Sequence, residues 1–124
     1  MICNSSSAVL LLTGHWPVLG ASVVVFTRDG ECHVVLPEDE LELAQRTSGA
    51  VLIPYKPSTL AALTTPIDEL VDPLRRLTAR LGLSHAAIGL QCDEAMQPAT
   101  DVNVYVSSLL LTYFCSTPRG QFAL

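Results

Sequence analysis

The sequence predicts an α/β fold: a three-layer domain around a mixed sheet of about five strands, in which an antiparallel hairpin is extended by parallel strands. Three observations carry this expectation. Two apolar, β-branched runs, residues 21–27 (ASVVVFT) and 32–36 (CHVVL), flank Arg28-Asp29-Gly30-Glu31, a strong hairpin signal. An acid-rich helical segment separates the second run from another apolar run, residues 50–53 (AVLI), which is the pattern of a crossover between parallel strands. Leu70, Leu74, Leu77 and Leu81 then recur at helical spacing ahead of residues 86–90 (AAIGL), giving a second crossover.

Taken in order, Met1-Ile2-Cys3 is the stub of a strand running into the polar turn at residues 4–7. Residues 8–13 are a short strand or a helical turn, and periodicity leaves both open. Gly14-His15-Trp16-Pro17-Val18-Leu19-Gly20 forms a shaped loop at the mouth of the sheet, the kind of segment in which function tends to sit. The hairpin arms are apolar almost without alternation, as expected of strands covered on both faces. Pro37 suits the first position of a helix, and Glu38, Asp39, Glu40 and Glu42 complement its positive end. Leu41 and Ala44 share a face of that helix, and Ser48-Gly49 ends it. Pro54 closes the next strand, and residues 56–65 form a loop with room for one helical turn. Pro73 marks the start of the main leucine helix, capped by Asp72, and Gly82 its end. A final helix is expected at residues 101–114, with Val102, Val106, Leu109, Leu110 and Tyr113 on its apolar face, followed by a loose tail at 116–124. The 124 residues fit one domain, residues 1–124, without repeats.

Composition excludes some functions. The formal charge is −5, and the seven basic residues are scattered apart from Arg75, Arg76 and Arg80, so no basic stripe for nucleic acid is present. Apolar residues make up 49% and charged residues only 15%, against about 25% in ordinary soluble domains. The surplus apolar surface calls for cover from a dimer partner or a second domain. Cys3, Cys32, Cys92 and Cys115 form no CxxC pair and read as reduced thiols of a cytosolic protein. Residues 102–115 fall short of the roughly 18–20 apolar residues of a membrane span, and no charged leader precedes residues 8–12. A soluble, cytoplasmic protein is expected, with no membrane partner.

The chemistry-bearing residues form no catalytic set. His15, His33 and His85 stand alone, with no second ligand at metal spacing, and His33 reads as a core or sheet-surface residue. Glu38, Asp39, Glu40 and Glu42 could bind a hard cation, but a first-turn acidic cap explains them more simply. Val24 breaks a G-x-S-x-G elbow around Ser22. Cys92 lies beside Asp93 and Glu94, acids that disfavour its thiolate. Neither Gly-rich phosphate motif is present. No catalytic, cofactor-binding or metal-binding residue is therefore assigned in this chain. Taken alone, His15 reads as a solvated loop residue and Trp16 as a core or interface anchor.

Residues 11–44, LLTGHWPVLGASVVVFTRDGECHVVLPEDELELA, resemble the N-terminal domain of the creatinase, prolidase and Xaa-Pro aminopeptidase family. Leu12-Thr13-Gly14-His15 stands where those domains carry "YLTG" and an aromatic or histidine. Ala87-Ile88-Gly89-Leu90-Gln91 is similar to the family's "IG-E" strand, with Gln91 in place of the acid. The resemblance implies a ribonuclease-H-like α/β fold lacking that fold's catalytic acids. It also implies a following "pita-bread" catalytic domain, absent from these residues, which in the peptidases holds two divalent metal ions (Mn, Co or Zn) on two Asp, one His and two Glu. Creatinase, in the same family, works without metal. No residue here corresponds to that ligand set. The family's first strand is cut down to residues 1–4, which would leave an exposed sheet edge open to a second copy.

By the same resemblance the domain supports dimerisation, with His15, Trp16, Pro17, Val18 and Leu19 in the position of a loop that narrows the substrate entrance. The expected function is thus a non-catalytic accessory domain of such a hydrolase, partnered by its catalytic domain and a second copy. The alternatives are a self-associating binding module without peptidase role, and a small-molecule binder with a Trp16-lined pocket.

Overall fold

The hairpin lies at the centre of the sheet. The computed structural model describes residues 1–91 except positions 4, 62, 64, 65, 84 and 85. The final helix expected at 101–114, the tail at 116–124, His85, Cys92 and Cys115 lie outside these residues. β2 (Val23–Phe26) pairs antiparallel with β3 (Cys32–Pro37), with Val24 opposite Val34. Gly30, at φ +88°, supplies the left-handed residue of the connecting turn.

β1 (Ile2–Cys3) is short, yet it does not leave the open edge expected beside the hairpin. It pairs antiparallel with β2 on one side and parallel with β5 (Leu90–Gln91) on the other. The N-terminal ammonium donates to the Phe26 carbonyl at 2.7 Å, and Phe26 N–H donates back to the Met1 carbonyl at 2.8 Å. The sheet order is β4-β3-β2-β1-β5, with β4 (Val51–Tyr55) parallel to β3. Only β2 opposes the other strands. This is the predicted mixed sheet, an antiparallel hairpin extended by parallel strands, with β5 shorter than the 86–90 run and seated beside β1.

The open question at residues 8–13 resolves as helix: α1 spans Ser6–Thr13. Ser5 caps it, its Oγ accepting from Ala8 N–H at 3.3 Å, and Gly14 ends it in the left-handed conformation at φ +78°. Ser5→Ala is expected to cost about 1 kcal/mol in chemical denaturation.

Three expected boundaries move, each for a tertiary reason. Pro37 does not open a helix; it closes β3, pairing with Tyr55. Its φ suits strand and helix start alike, and ψ of 143° keeps it extended. A 3-10 turn, Glu38–Glu40, follows before α2 (Leu41–Thr47). β4 continues through Pro54, because a strand at the sheet edge can spare the missing N–H. That position also leaves Val51 exposed, although the run is apolar. α3 spans Pro66–Arg80, with Pro73 inside it, and does not begin at Pro73. Leu70 is fully buried alongside Leu74 and Leu77, so core packing holds the turn before the proline. Asp72 is not a cap; it accepts from Arg75 Nη1 at 2.8 Å.

Strand alternation divides the core into two layers. Ile2, Val23, Val25, Val35 and Tyr55 face α3 through Leu70, Leu74 and Leu77. Val24, Val34 and Leu36 face the opposite way, against Val9 of α1 and Ala44 of α2. Cys3 is buried and Cys32 partly so, and burial pushes the Cys32 thiol up. Among the described residues, no helix is long and apolar enough to cross a membrane.

Candidate functional site

The loop ahead of β2 sits at the carboxyl ends of the parallel strands β3 and β4, where open α/β sheets tend to place their ligands. It leaves α1 at Gly14, where a Cβ would approach the Thr47 carbonyl oxygen of α2 to 2.8 Å. Thr13 starts the turn. Its hydroxyl donates to the Val9 carbonyl at 2.7 Å and accepts from His15 N–H at 3.1 Å.

His15 is not solvated: it is 0% exposed, and its Nε2 lies 2.7 Å from Oε2 of Glu40, itself 2% exposed. A carboxylate only accepts, so Nε2 carries the proton. The other carboxylate oxygen, Oε1, accepts from Val18 N–H at 2.9 Å and from Leu19 N–H. One side chain thus holds both the root of the loop and its far limb. Glu40 is thus not an exposed helix cap: its carboxylate is engaged by His15 and two loop amides, while its neighbours Glu38 and Asp39 remain exposed. Among the described residues no group of three His, Cys, Asp or Glu side chains could hold a metal ion.

The pinning turns the rest of the loop outward. Trp16 is 52% exposed, Val18 67% and Leu19 68%, with Pro17 half-buried, so of the two readings of Trp16, core or interface anchor, the core one does not hold. The five residues expected to form the loop therefore divide: His15 roots it, and the others present its apolar surface. Leu11 of α1 adds a further exposed side chain. Ser22 is buried, and neither its Oγ nor His15 Nδ1 has a hydrogen-bond partner, so the two do not bond to each other. Among the described residues, the His15–Glu40 pair engages the loop backbone and no nucleophile. His33, with Nε2 3.4 Å from Glu31, is a buried sheet residue as read from the sequence.

Tyr55, at the end of β4, donates to the Ala21 carbonyl at 2.8 Å and fixes the point where the loop enters β2. Gly20 permits this close fit, since a Cβ there would meet Pro37 Cγ at 2.8 Å and the Tyr55 hydroxyl at 3.3 Å. Burial pushes the Tyr55 phenol well above its usual range, and the charges of Glu69 and Glu40 add to the effect. The native state thus holds this proton more tightly than the unfolded chain does. The stability linked to it is complete below pH 10.0, the ordinary phenol value, and is lost as the pH rises through the folded-state value. Phenolate absorbance should show Tyr55 titrating late, and Tyr55→Phe should remove that late transition.

Glu40, Thr13, Gly20 and Tyr55 were not singled out by sequence as loop-holding residues. The one usable signal was that four acids exceed what a single helix start needs. Nothing local tells which of them turns inward.

No protein-family model matches the sequence, and no curated protein matches it. A solved structure, prolidase from Pyrococcus furiosus, superposes with a TM-score of 0.55 over 98% of this chain and 27% of that one, at 14% sequence identity. This chain therefore corresponds in span to just over a quarter of that protein. At such an identity the likeness is one of fold: the chain has an α/β fold that also forms part of prolidase.

Proposed function

We propose that this chain serves as a non-catalytic N-terminal accessory domain of an Xaa-Pro aminopeptidase, prolidase or creatinase-like hydrolase, contributing to dimerisation and shaping the substrate entrance. The observation that carries the reading is the loop at residues 15–19, rigidly pinned from beneath by Glu40 while Trp16, Val18 and Leu19 face outward. The fold likeness to prolidase supports it. The role is geometric: a preorganised apolar wall positions a substrate for chemistry done elsewhere and excludes water from it. In the peptidases the two divalent metal ions, and the acids and histidine that hold them, would belong to the catalytic domain, with a cytoplasmic setting for the whole.

The single Trp16 makes the reading testable. In the isolated chain its emission should resemble that of indole in water and be readily quenched by iodide. Joined to, or mixed with, a catalytic domain of this class, it should shift to the blue, and Trp16→Ala should weaken processing of Xaa-Pro substrates without lowering chain stability. Turnover of an Xaa-Pro dipeptide by the isolated chain with Mn²⁺ or Co²⁺ would refute the reading.

A second reading, a self-associating module without peptidase role, is favoured by the exposed Leu11, Trp16, Val18 and Leu19. It requires a homodimer in sedimentation and a blue shift of Trp16 with concentration alone. A strict monomer excludes it.

A further inference from the structure

A cleft of about 240 Å³ lies between α3 and the edge strand β4, on the face opposite α1 and α2. Its lining is Ile53, Pro54, Pro73, Arg76, Leu77 and Arg80. Leu77 belongs to the buried core and Ile53 packs against it, so the floor is apolar and fixed. Arg76 and Arg80 stand one helical turn apart at the rim, and like charges at that spacing repel. The natural relief for Arg76 is Asp72, four residues earlier, but Asp72 is engaged by Arg75. Neither Arg76 nor Arg80 makes a hydrogen bond or ion pair among the described residues. A chain of net charge −5 thus places over one apolar cleft two guanidinium groups that have no partner among the described residues.

We propose that this cleft binds a small organic carboxylate, its anionic head on Arg76 and Arg80 and its apolar body on Ile53, Pro73 and Leu77. Guanidinium groups pair with carboxylates through two parallel N–H···O bonds, which gives orientation as well as attraction. The cleft is smaller than the roughly 300–1,000 Å³ of pockets for drug-sized ligands, so its occupant is a short branched or cyclic acid, or the carboxyl terminus of a peptide. This site is remote in sequence from the loop at residues 15–19 and does not depend on the accessory-domain reading.

The test is an NMR titration of the full chain, following backbone amides and arginine Nε–H signals, with isovalerate as the probe. Isovaleramide, inorganic phosphate and a leucine-terminated peptide, with free or amidated carboxyl end, form the comparison arms. Isovalerate should give saturable shifts at Ile53, Leu77 and both arginines, and isovaleramide should give none. The Arg76→Gln/Arg80→Gln double variant should bind at least about tenfold more weakly, with its denaturation midpoint unchanged because both side chains are exposed. Tighter binding of the free-ended peptide than of isovalerate would support the proposal and assign the site to peptide termini. The proposal is overturned if no saturable shift occurs up to about 10 mM, a weak-binding limit. It is also overturned if the amide or phosphate binds as well as isovalerate, or if the double variant binds as well as the parent chain.

Discussion

Glu40→Ala is expected to destabilise the fold by about 3 kcal/mol, because three donors lose their common acceptor at once. These are His15 Nε2–H and the amides of Val18 and Leu19. The amides belong to exposed residues and can recruit water, whereas His15 is fully buried and cannot, so the imidazole dominates the loss. For a domain of this size the melting temperature should fall by roughly 10–15 °C. Glu38→Gln and Asp39→Asn, exposed neighbours in the same turn, should change stability by less than about 0.5 kcal/mol. Glu40→Gln separates the contributions. Its carbonyl can still accept from the two amides, while its NH₂ would face His15 Nε2. The imidazole must then carry its proton on Nδ1, an atom with no hydrogen-bond partner. Imidazole ¹⁵N shifts should report that tautomer change, at a cost of about 1–2 kcal/mol. A Glu40→Ala protein as stable as the parent, with unchanged His15 shifts, would show that the carboxylate does not hold the loop.

Gly14→Ala is expected to cost about 2–5 kcal/mol, combining left-handed backbone strain with a steric clash. Its φ is +78°, and the added Cβ would sit 2.8 Å from the Thr47 carbonyl oxygen, a backbone atom that cannot swing away. Gly30→Ala isolates the backbone contribution, since φ there is +88° with nothing within 4 Å. The Gly30 variant should therefore lose only about 1–2 kcal/mol. Equal losses at the two positions, measured by chemical denaturation, would mean that α1 and α2 are not in contact at this point. A larger loss at Gly14, together with stronger shielding changes around Trp16, would confirm that helix packing sets where the loop begins.

Most of the scaffold was legible because its signals are local. The Asp29-Gly30 turn between two β-branched runs gave the hairpin, and an acid-rich helix between apolar runs gave the parallel β3–β4 pair. The misread boundaries share a cause. Pro37 and Pro73 carry a local preference compatible with two structures, and long-range packing chose between them: pairing with Tyr55 for one, burial of Leu70 for the other. The stub at residues 2–3 gave no length on which to judge a strand. Its place is fixed only by β2 and β5, which recruit it from both sides.

The sequence by itself determined the three-layer α/β class, the hairpin and the position of the loop at residues 15–19, since turn chemistry and hydrophobic period act within a few residues. Tertiary structure alone decided that Glu40, among four neighbouring acids, turns inward, that His15 is buried and that Trp16 faces out. The physical reason is that the Glu40–His15 contact joins positions 25 residues apart. A carboxylate that leaves water must find donors, and only the closed end of the sheet brings an imidazole and two backbone amides within its reach.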